Sequence, residues 1–207
     1  MRISSGIPPA REKIVRLSMV LAAVALLVGL LYPAEHALDT TPGLAIGRSA
    51  PAFTLSDQNG TQVSLASLLK KGPVALVFVR SVDWCLYCQL QMVQLQYILG
   101  EIEAAGGQVV GISYDPVEKL KDYAQRGHVT FPLISDVDSR TIDAYDIRFK
   151  DAPAETSGFA RHATFIVDQD GVIRAKLFEL SYKERPTVDA LINALKAAAK
   201  PPGGFQP

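Results

Sequence analysis

Cysteine is scarce in this chain of 207 residues, which contains only Cys85 and Cys88. Both belong to a Trp-Cys-Leu-Tyr-Cys motif that follows the apolar run Val74 to Val79. Because residues three apart on a helix lie one turn apart on the same face, the two thiols are within reach of a disulfide. The motif therefore predicts a redox couple. The alternatives are a pair of inert core cysteines or a structural disulfide, and a disulfide would constrain little of the unfolded chain across so short a loop.

An excess of charge of either sign is also absent, since 21 acidic and 21 basic residues give a formal net charge of zero. A chain without a surplus of basic residues has no excess positive charge to attract nucleic acid, so no nucleic-acid partner is expected. Internal repeats and low-complexity tracts are missing as well. These absences leave a single globular domain after the N-terminal segment as the natural interpretation.

Charged residues are missing between Leu17 and Ala34, whereas residues 1–16 are basic and Glu35 and Asp39 follow. This order predicts a cytoplasmic basic segment at 1–16, a transmembrane anchor at 17–34 and a domain on the periplasmic side. The alternative is a signal-peptide core and a secreted protein. The lack of a small-residue cleavage site directly after the stretch favours the anchor. No cysteine follows the stretch, which excludes lipid attachment there.

Residues 35–46 are interpreted as a linker, residues 47–199 as the domain and residues 200–207 as a loose tail. Within the domain, Val74 to Val79 is too uniformly apolar for a half-exposed strand and predicts a central one. Apolar residues at helical spacing after the cysteines predict a helix up to Gly106. With a second strand at Val109 to Ser113, these elements form a parallel βαβ unit with a right-handed crossover.

Four further elements complete the expected domain. Ala50 to Leu55 is expected to be an edge strand, and Asp115 is expected to cap the N-terminus of a helix. An antiparallel hairpin is expected from Ala163 to Val167 and from Val172 to Leu180. An amphipathic helix from Thr187 to Ala199 closes the domain.

The position of each cysteine predicts its role. Cys85 is expected at the helix N-terminus, where unsatisfied backbone N–H groups and the positive end of the dipole favour a thiolate. It is therefore the expected nucleophile. Cys88, one turn inside, is expected to resolve a mixed disulfide by attacking the sulfur of Cys85. Trp84 beside the couple is expected either to shape a docking surface or to cap the core.

The motif and the order of elements resemble the thioredoxin fold, an α/β fold with a central mixed sheet flanked by helices. More narrowly, several segments resemble the alkyl hydroperoxide reductase/thiol-specific antioxidant group, also called redoxins: Gly47 to Leu55, the Asp57 to Gly60 turn, Gly111 to Asp115, Phe131 to Asp136 and Ala163 to Asp168. The resemblance implies a thiol oxidoreductase that needs no cofactor. Its expected partners are protein or small-molecule thiols and disulfides.

Positions at which this chain differs from that group help to decide between disulfide exchange and peroxide reduction. Its peroxidases place a Pro seven residues, and a Thr or Ser three residues, before the reactive Cys, where this chain has Phe78 and Val82. Such donors polarise the peroxide bond, so their absence favours disulfide exchange over peroxide reduction. A thiol-dependent hydroperoxide reductase is kept as the alternative. In it Arg80, Ser81 or Arg161 would have to supply the missing donors.

Departures from thioredoxins proper lie on the same elements. Leu86 and Tyr87 replace the Gly-Pro pair between the cysteines, and Val79 replaces a buried Asp. Ala163-Thr164 stands where a cis-Pro and Thr are expected, which makes Thr164 a supporting site residue. Without the buried acid, proton transfer from Cys88 depends on water or on another group.

A copper-binding assembly chaperone is the alternative from a different class. Copper chaperones of cytochrome oxidase assembly are also anchored redoxin-like proteins, and they hold copper with two cysteines and a distant His. That resemblance implies Cys85, Cys88 and His162 as ligands. In those chaperones, however, three residues separate the two cysteines, whereas in this chain only two do. The main expectation is therefore that the couple binds no metal.

Overall fold

The computed structural model describes residues 41–150, 157–179, 181 and 183–199. The expected anchor at 17–34 and the tail at 200–207 lie outside these residues. Within the described ranges, no helix is both long and apolar enough to cross a membrane. The compact unit begins at Thr41, six residues before the expected domain boundary. Leu44 belongs to this unit, because its N–H donates to the carbonyl of Tyr145 at 3.2 Å.

Seven strands form one sheet in the order β2-β1-β5-β4-β3-β6-β7. The strands are β1 (Thr54–Asp57), β2 (Gln62–Ser64), β3 (Val74–Phe78), β4 (Gln108–Ser113), β5 (Leu133–Ser135), β6 (Ala163–Val167) and β7 (Ile173–Leu177). The described helices are α1 (Leu65–Leu69), α2 (Leu86–Tyr97), α3 (Leu99–Ala104), α4 (Val117–Gly127), α5 (Arg140–Ala144) and α6 (Val188–Ala199). Strands β3, β4 and β5 are mutually parallel, and the other neighbours pair antiparallel.

The expected βαβ unit is confirmed, because β3 pairs in parallel with β4 and α2 connects them. Strand β3 lies between β4 and β6, and all five of its residues are buried. The hairpin of β6 and β7 and the closing helix α6 are confirmed too. The expected edge strand is wrong: β1 begins only at Thr54 and lies between β2 and β5, so the shorter β2 occupies that edge.

Alternate side chains of β3 contribute to two separate hydrophobic clusters. Ala75 and Val77 belong to the cluster that also contains both cysteines and residues of α2 and α6. Leu76 and Phe78 belong to the second cluster, which includes Tyr145. Since successive side chains of a strand point to opposite faces, the sheet separates the two clusters. The redox couple thus lies in one defined layer of the domain.

Helix α2 differs from the expected continuous helix in two respects. It is interrupted at Ile98, and α3 then continues to Ala104. Its apolar stripe also faces outward, because Leu86, Leu90, Val93 and Tyr97 are exposed. The buried residues of α2 are instead Cys88, Gln91, Met92 and Leu95. The face of α2 that packs into the core therefore carries Cys88 and Met92, both without exposure, and not the apolar stripe that the sequence predicts.

Candidate active site

Cys85 is the N-cap of α2, as the motif predicts. Its carbonyl accepts hydrogen bonds from the N–H groups of Cys88 and Gln89, at 2.9 and 3.0 Å. The two cysteines form a disulfide whose Cα atoms are 5.3 Å apart. The backbone hydrogen bonds of the first turn are kept in this disulfide form. Oxidation of the couple is therefore compatible with an intact helix.

A hydrogen-bonded loop, Ser81 to Trp84, presents Cys85 to the end of the sheet. The Ser81 hydroxyl donates to Asp115 Oδ1 at 2.7 Å and accepts from the N–H groups of Asp83 and Trp84. The N–H of Val82 donates to Asp115 Oδ2 at 2.7 Å. Because its proton is used on Asp115, the Ser81 hydroxyl is a loop brace in this structure. It does not supply the donor that the peroxidase alternative requires.

Asp115 is the centre of this brace, and the expectation that it caps a helix is wrong. Helix α4 begins at Val117 with Pro116 as its N-cap, and no side chain caps it. The Asp115 carboxylate instead turns inward and also accepts from the Ser113 hydroxyl at 2.7 Å. Burial raises the pKa of Asp115, while the three donors act in the opposite direction. An Asp-Pro pair is a helix-start signal, and only tertiary packing redirects the carboxylate.

Trp84 and Arg80 pack together on the outer side of the loop. The Arg80 guanidinium lies 4.9 Å from the Trp84 ring centroid and 4.7 Å from that of Phe159. The indole N–H of Trp84 donates to the Tyr114 hydroxyl at 3.0 Å. Trp84 is partly exposed, whereas Cys85 beside it is buried. Arg80 is thereby held next to the residue that precedes the nucleophile.

A pocket of about 370 Å³ adjoins this cluster. Its walls include three aromatic side chains, Phe149, Phe159 and Phe178, and two guanidinium groups, Arg80 and Arg161. Pockets of this size with mostly apolar walls and a few polar groups are typical of small-molecule sites. The pocket therefore offers room for an organic group close to Arg80.

His162 lies in the same pocket wall, almost completely buried and stacked on Phe178 at 5.7 Å between ring centroids. Burial, followed by the positive charges of Arg185 and Arg80, lowers the pKa of His162 to about 4. The imidazole is therefore neutral at physiological pH. Within the described part of the chain, no three His, Cys, Asp or Glu side chains are arranged to hold a metal ion. Cys85, Cys88 and His162, the ligands that the copper-chaperone alternative implies, are thus not grouped as a metal site in this disulfide form.

Arg185 lies beside Cys88, and nothing in the sequence pattern indicated it. Its Nη2 is 3.7 Å from Cys88 Sγ. A small cavity of about 20 Å³, enough for one water molecule, is lined in part by Arg185, Gln91 and Thr164. The Gln91 side-chain oxygen is buried and has no hydrogen-bond partner among the described residues. Thr164 thus lies at this cavity, on β6, where it is the register partner of Val77 on β3.

The two positions that separate this chain from the peroxidases of the group are core positions. Phe78 is fully buried against Tyr145 and Phe165, with ring centroids 4.9 and 5.8 Å away. Val82 is also buried, in the cluster that contains Cys85. A Pro and a hydroxyl are therefore replaced by packing residues. Of the three expected substitutes, Arg80 and Arg161 line the pocket and Ser81 does not.

Comparison with known proteins agrees with this geometry. The sequence profile described as the AhpC/TSA family matches residues 46–176. Peroxiredoxin Bcp of Escherichia coli strain K12 is 31% identical over 157 residues, which are 75% of this chain and 98% of that protein. Alkyl hydroperoxide reductase E of Mycobacterium bovis is 35% identical over 133 residues, which are 63% of this chain and 83% of that protein.

The fold is found in solved structures as well. The crystal structure of peroxidoxin BcpB from Mycobacterium tuberculosis matches with a TM-score of 0.66 at 25% identity, over 74% of this chain and 97% of that one. The expected α/β thioredoxin-like fold with a mixed central sheet is confirmed. The resemblance that the sequence motifs indicated is confirmed with it.

Proposed function

The chain belongs to the AhpC/TSA family, and from that premise we propose that it is a thiol-dependent peroxidase acting through Cys85 and Cys88. The observation that carries the proposal is the disulfide between an N-cap cysteine and a cysteine one turn inside α2. Relatives named peroxiredoxin and alkyl hydroperoxide reductase support it. They favour peroxide reduction, which the sequence analysis kept as the alternative to disulfide reduction.

The reaction begins at Cys85, whose thiolate is favoured by the N-terminus of α2. Its sulfur attacks one peroxide oxygen, the O–O bond breaks, and the alcohol or water leaves after taking a proton. Cys85 is then a sulfenic acid. The Cys88 thiolate attacks that sulfur, the S–S bond forms and hydroxide leaves as water. A thiol reductant restores the couple by two exchange steps.

Arg80 is the residue best placed to assist the first step. Its guanidinium lies over the ring of Trp84, which directly precedes Cys85. A positive donor near the reacting oxygen stabilises the charge that develops as the O–O bond breaks. The aromatic pocket beside Arg80 accommodates an organic group, which favours organic hydroperoxides over hydrogen peroxide.

The test is a comparison of two substrates by the reduced full-length protein. The proposal expects cumene hydroperoxide to oxidise the protein at least tenfold faster than a small disulfide does, with the peroxide reaction lost in Cys85→Ser. Cys88→Ser should consume one peroxide equivalent and then stop as a sulfenic acid, because it lacks the resolving thiol. Arg80→Gln should slow the peroxide reaction, because it removes the proposed positive donor near the reacting oxygen. Arg126→Gln, on the exposed surface of α4, is the matched charge control and should react as fast as the wild type.

Disulfide reduction is the second candidate, and a specific observation favours it. Ser81 is committed to Asp115, while Phe78 and Val82 are packed in the core. A disulfide substrate needs no donor of that kind, because its leaving sulfur is itself a stable thiolate. Rapid reduction of a disulfide with negligible peroxide consumption would replace the peroxidase proposal by this one.

We further propose that residues 17–34 anchor the protein, with the domain on the periplasmic side. The basic, uncharged and acidic order of residues 1–39 supports this orientation. Protease added to spheroplasts should then digest the domain, and membranes should retain the intact chain. Recovery of a soluble form that begins near Ile46 would instead show a cleaved signal peptide.

A further inference from the structure

Cys88 occupies a position that is unfavourable for a thiolate. It has no solvent exposure and lies in a cluster of apolar side chains. It is the third residue of α2, and its own N–H is already used on the carbonyl of Cys85 at 2.9 Å. Burial among apolar groups disfavours the charged form of a thiol. A cysteine that must attack and leave as a thiolate therefore needs a nearby positive group.

Arg185 is that group. Its Nη2 lies 3.7 Å from Cys88 Sγ, within the range of a hydrogen bond to sulfur. Its Nη1 donates to the carbonyl of Glu184 at 2.6 Å, which orients the planar guanidinium. The backbone that follows is also held, because Thr187 caps the start of α6 by accepting from the N–H of Ala190. The guanidinium is thus placed by local structure that does not depend on the sulfur.

The surroundings of Arg185 are positive. Arg80 and Arg185 are close enough that the charge of Arg80 lowers the pKa of Arg185, in addition to the larger effect of burial. Burial and the positive charges of both arginines also lower the pKa of His162, so its imidazole is neutral. Two half-buried positive charges that repel each other are both stabilised when a negative charge forms beside them. A thiolate at Cys88 supplies that charge.

We propose that Arg185 is a catalytic residue that stabilises the Cys88 thiolate and thereby raises the reduction potential of the couple. The proposal rests on the proposed function only in using the Cys85–Cys88 couple, and it holds for peroxide or disulfide substrates. During reduction, a thiolate of the reductant attacks Cys85 Sγ, the S–S bond breaks and its electron pair goes to Cys88 Sγ. A second reductant thiolate attacks the mixed disulfide, which releases an oxidised reductant pair and the Cys85 thiolate.

The first test measures the equilibrium of the full-length protein with dithiothreitol at neutral pH. Arg185→Gln should shift the equilibrium constant about tenfold toward the disulfide, which corresponds to about 30 mV more negative. Arg185→Lys, which keeps the charge, should recover most of the shift. Arg126→Gln removes one exposed charge and should change the constant less than twofold. A shift below twofold in Arg185→Gln, or an equal shift in Arg126→Gln, would overturn the proposal.

The second test does not require Arg185→Gln to fold. In Cys85→Ser with Arg185 intact, the ultraviolet absorbance of the Cys88 thiolate should titrate well below about 8.5, the ordinary pKa of a free thiol. Titration at or above that value would contradict the assignment. The readout is also independent of the proposed peroxidase. If the wild type showed no peroxide turnover while Cys88 in Cys85→Ser still titrated low, the peroxidase proposal would fail and the role of Arg185 would stand.

Discussion

The two sides of the redox couple are built differently. On the side of Cys85, the Ser81 to Trp84 loop is held by short hydrogen bonds to the end of β4 and its following residues. On the side of Cys88, the Arg185 guanidinium contacts the sulfur, lines a small cavity and contributes its positive charge to the lowered pKa of the buried His162. The first side determines where the nucleophile is, and the second determines how easily a buried sulfur carries charge.

This contrast separates position from electrostatics. Hydrogen bonds between neutral groups and a carboxylate have strict geometry and fix a backbone. A cation acts over a longer distance and tolerates movement of the sulfur between disulfide and thiolate. Substitutions on the Cys85 side should therefore change stability and rate together. Substitutions on the Cys88 side should change pH dependence and reduction potential more than stability.

The largest effect is expected for Asp115→Ala, on the Cys85 side. The substitution leaves three donors, including the buried N–H of Val82, without their acceptor. At roughly 1 kcal/mol for each, the free energy of unfolding should fall by about 3 kcal/mol. Urea denaturation measures this change. Asp138→Ala, at an exposed ion pair with Arg140, is the control and should change it by less than about 0.5 kcal/mol.

A loss below about 1 kcal/mol in Asp115→Ala would show that the loop does not depend on the carboxylate. The comparison of the two sides would then fail, because the Cys85 side would lack its fixed scaffold. Peroxide turnover should also fall in this variant, since the loop positions Cys85.

A smaller effect is expected from His162, on the Cys88 side, as the pH falls. The pKa of His162 is about 4 in the folded protein and 6.5 for an ordinary histidine, so the unfolded state binds more protons between these values. The neutral imidazole of His162 therefore makes its full contribution to the free energy of unfolding above pH 6.5, and this contribution is lost as the pH falls toward 4. Between pH 7.5 and pH 5 the wild type should lose about 2 kcal/mol more stability than His162→Gln.

Urea denaturation of both proteins at the two pH values provides the measurement, and the difference between them removes contributions from other groups such as Asp115. Equal losses in wild type and His162→Gln would show that the imidazole is protonated in the folded state. The positive surroundings inferred for Cys88 would then be weaker than the contacts indicate.

The smallest effect is expected for Lys119→Ala, which removes the ion pair between Lys119 and Asp83 at 3.1 Å. Both side chains are more than 40% exposed, so solvent screens the attraction. The free energy of unfolding should change by less than about 0.5 kcal/mol, and less still at high salt. A change as large as that of Asp115→Ala would mean that the loop is held from its exposed side.

Much of the fold was predictable because its signals are local. The uniform apolar run at β3, the turn-flanked hairpin of β6 and β7 and the spacing of the cysteines each depend on neighbouring residues. The errors concern elements whose placement depends on distant partners. Strand β1 is not an edge because β2 folds back beside it, and Asp115 is not a cap because Ser81 and Val82 reach it from another loop.

The amino-acid sequence by itself determined the redox couple, its place at the start of a helix after a central strand, and the family. The couple and its place follow from residue spacing and from an apolar run, and the family follows from the resemblance of several short segments. The tertiary structure alone decided that Asp115 braces the loop, that Ser81 is a structural hydroxyl, and that Arg185 contacts Cys88 from 97 residues away. Such contacts depend on which strands and helices pack together, and no local pattern encodes them.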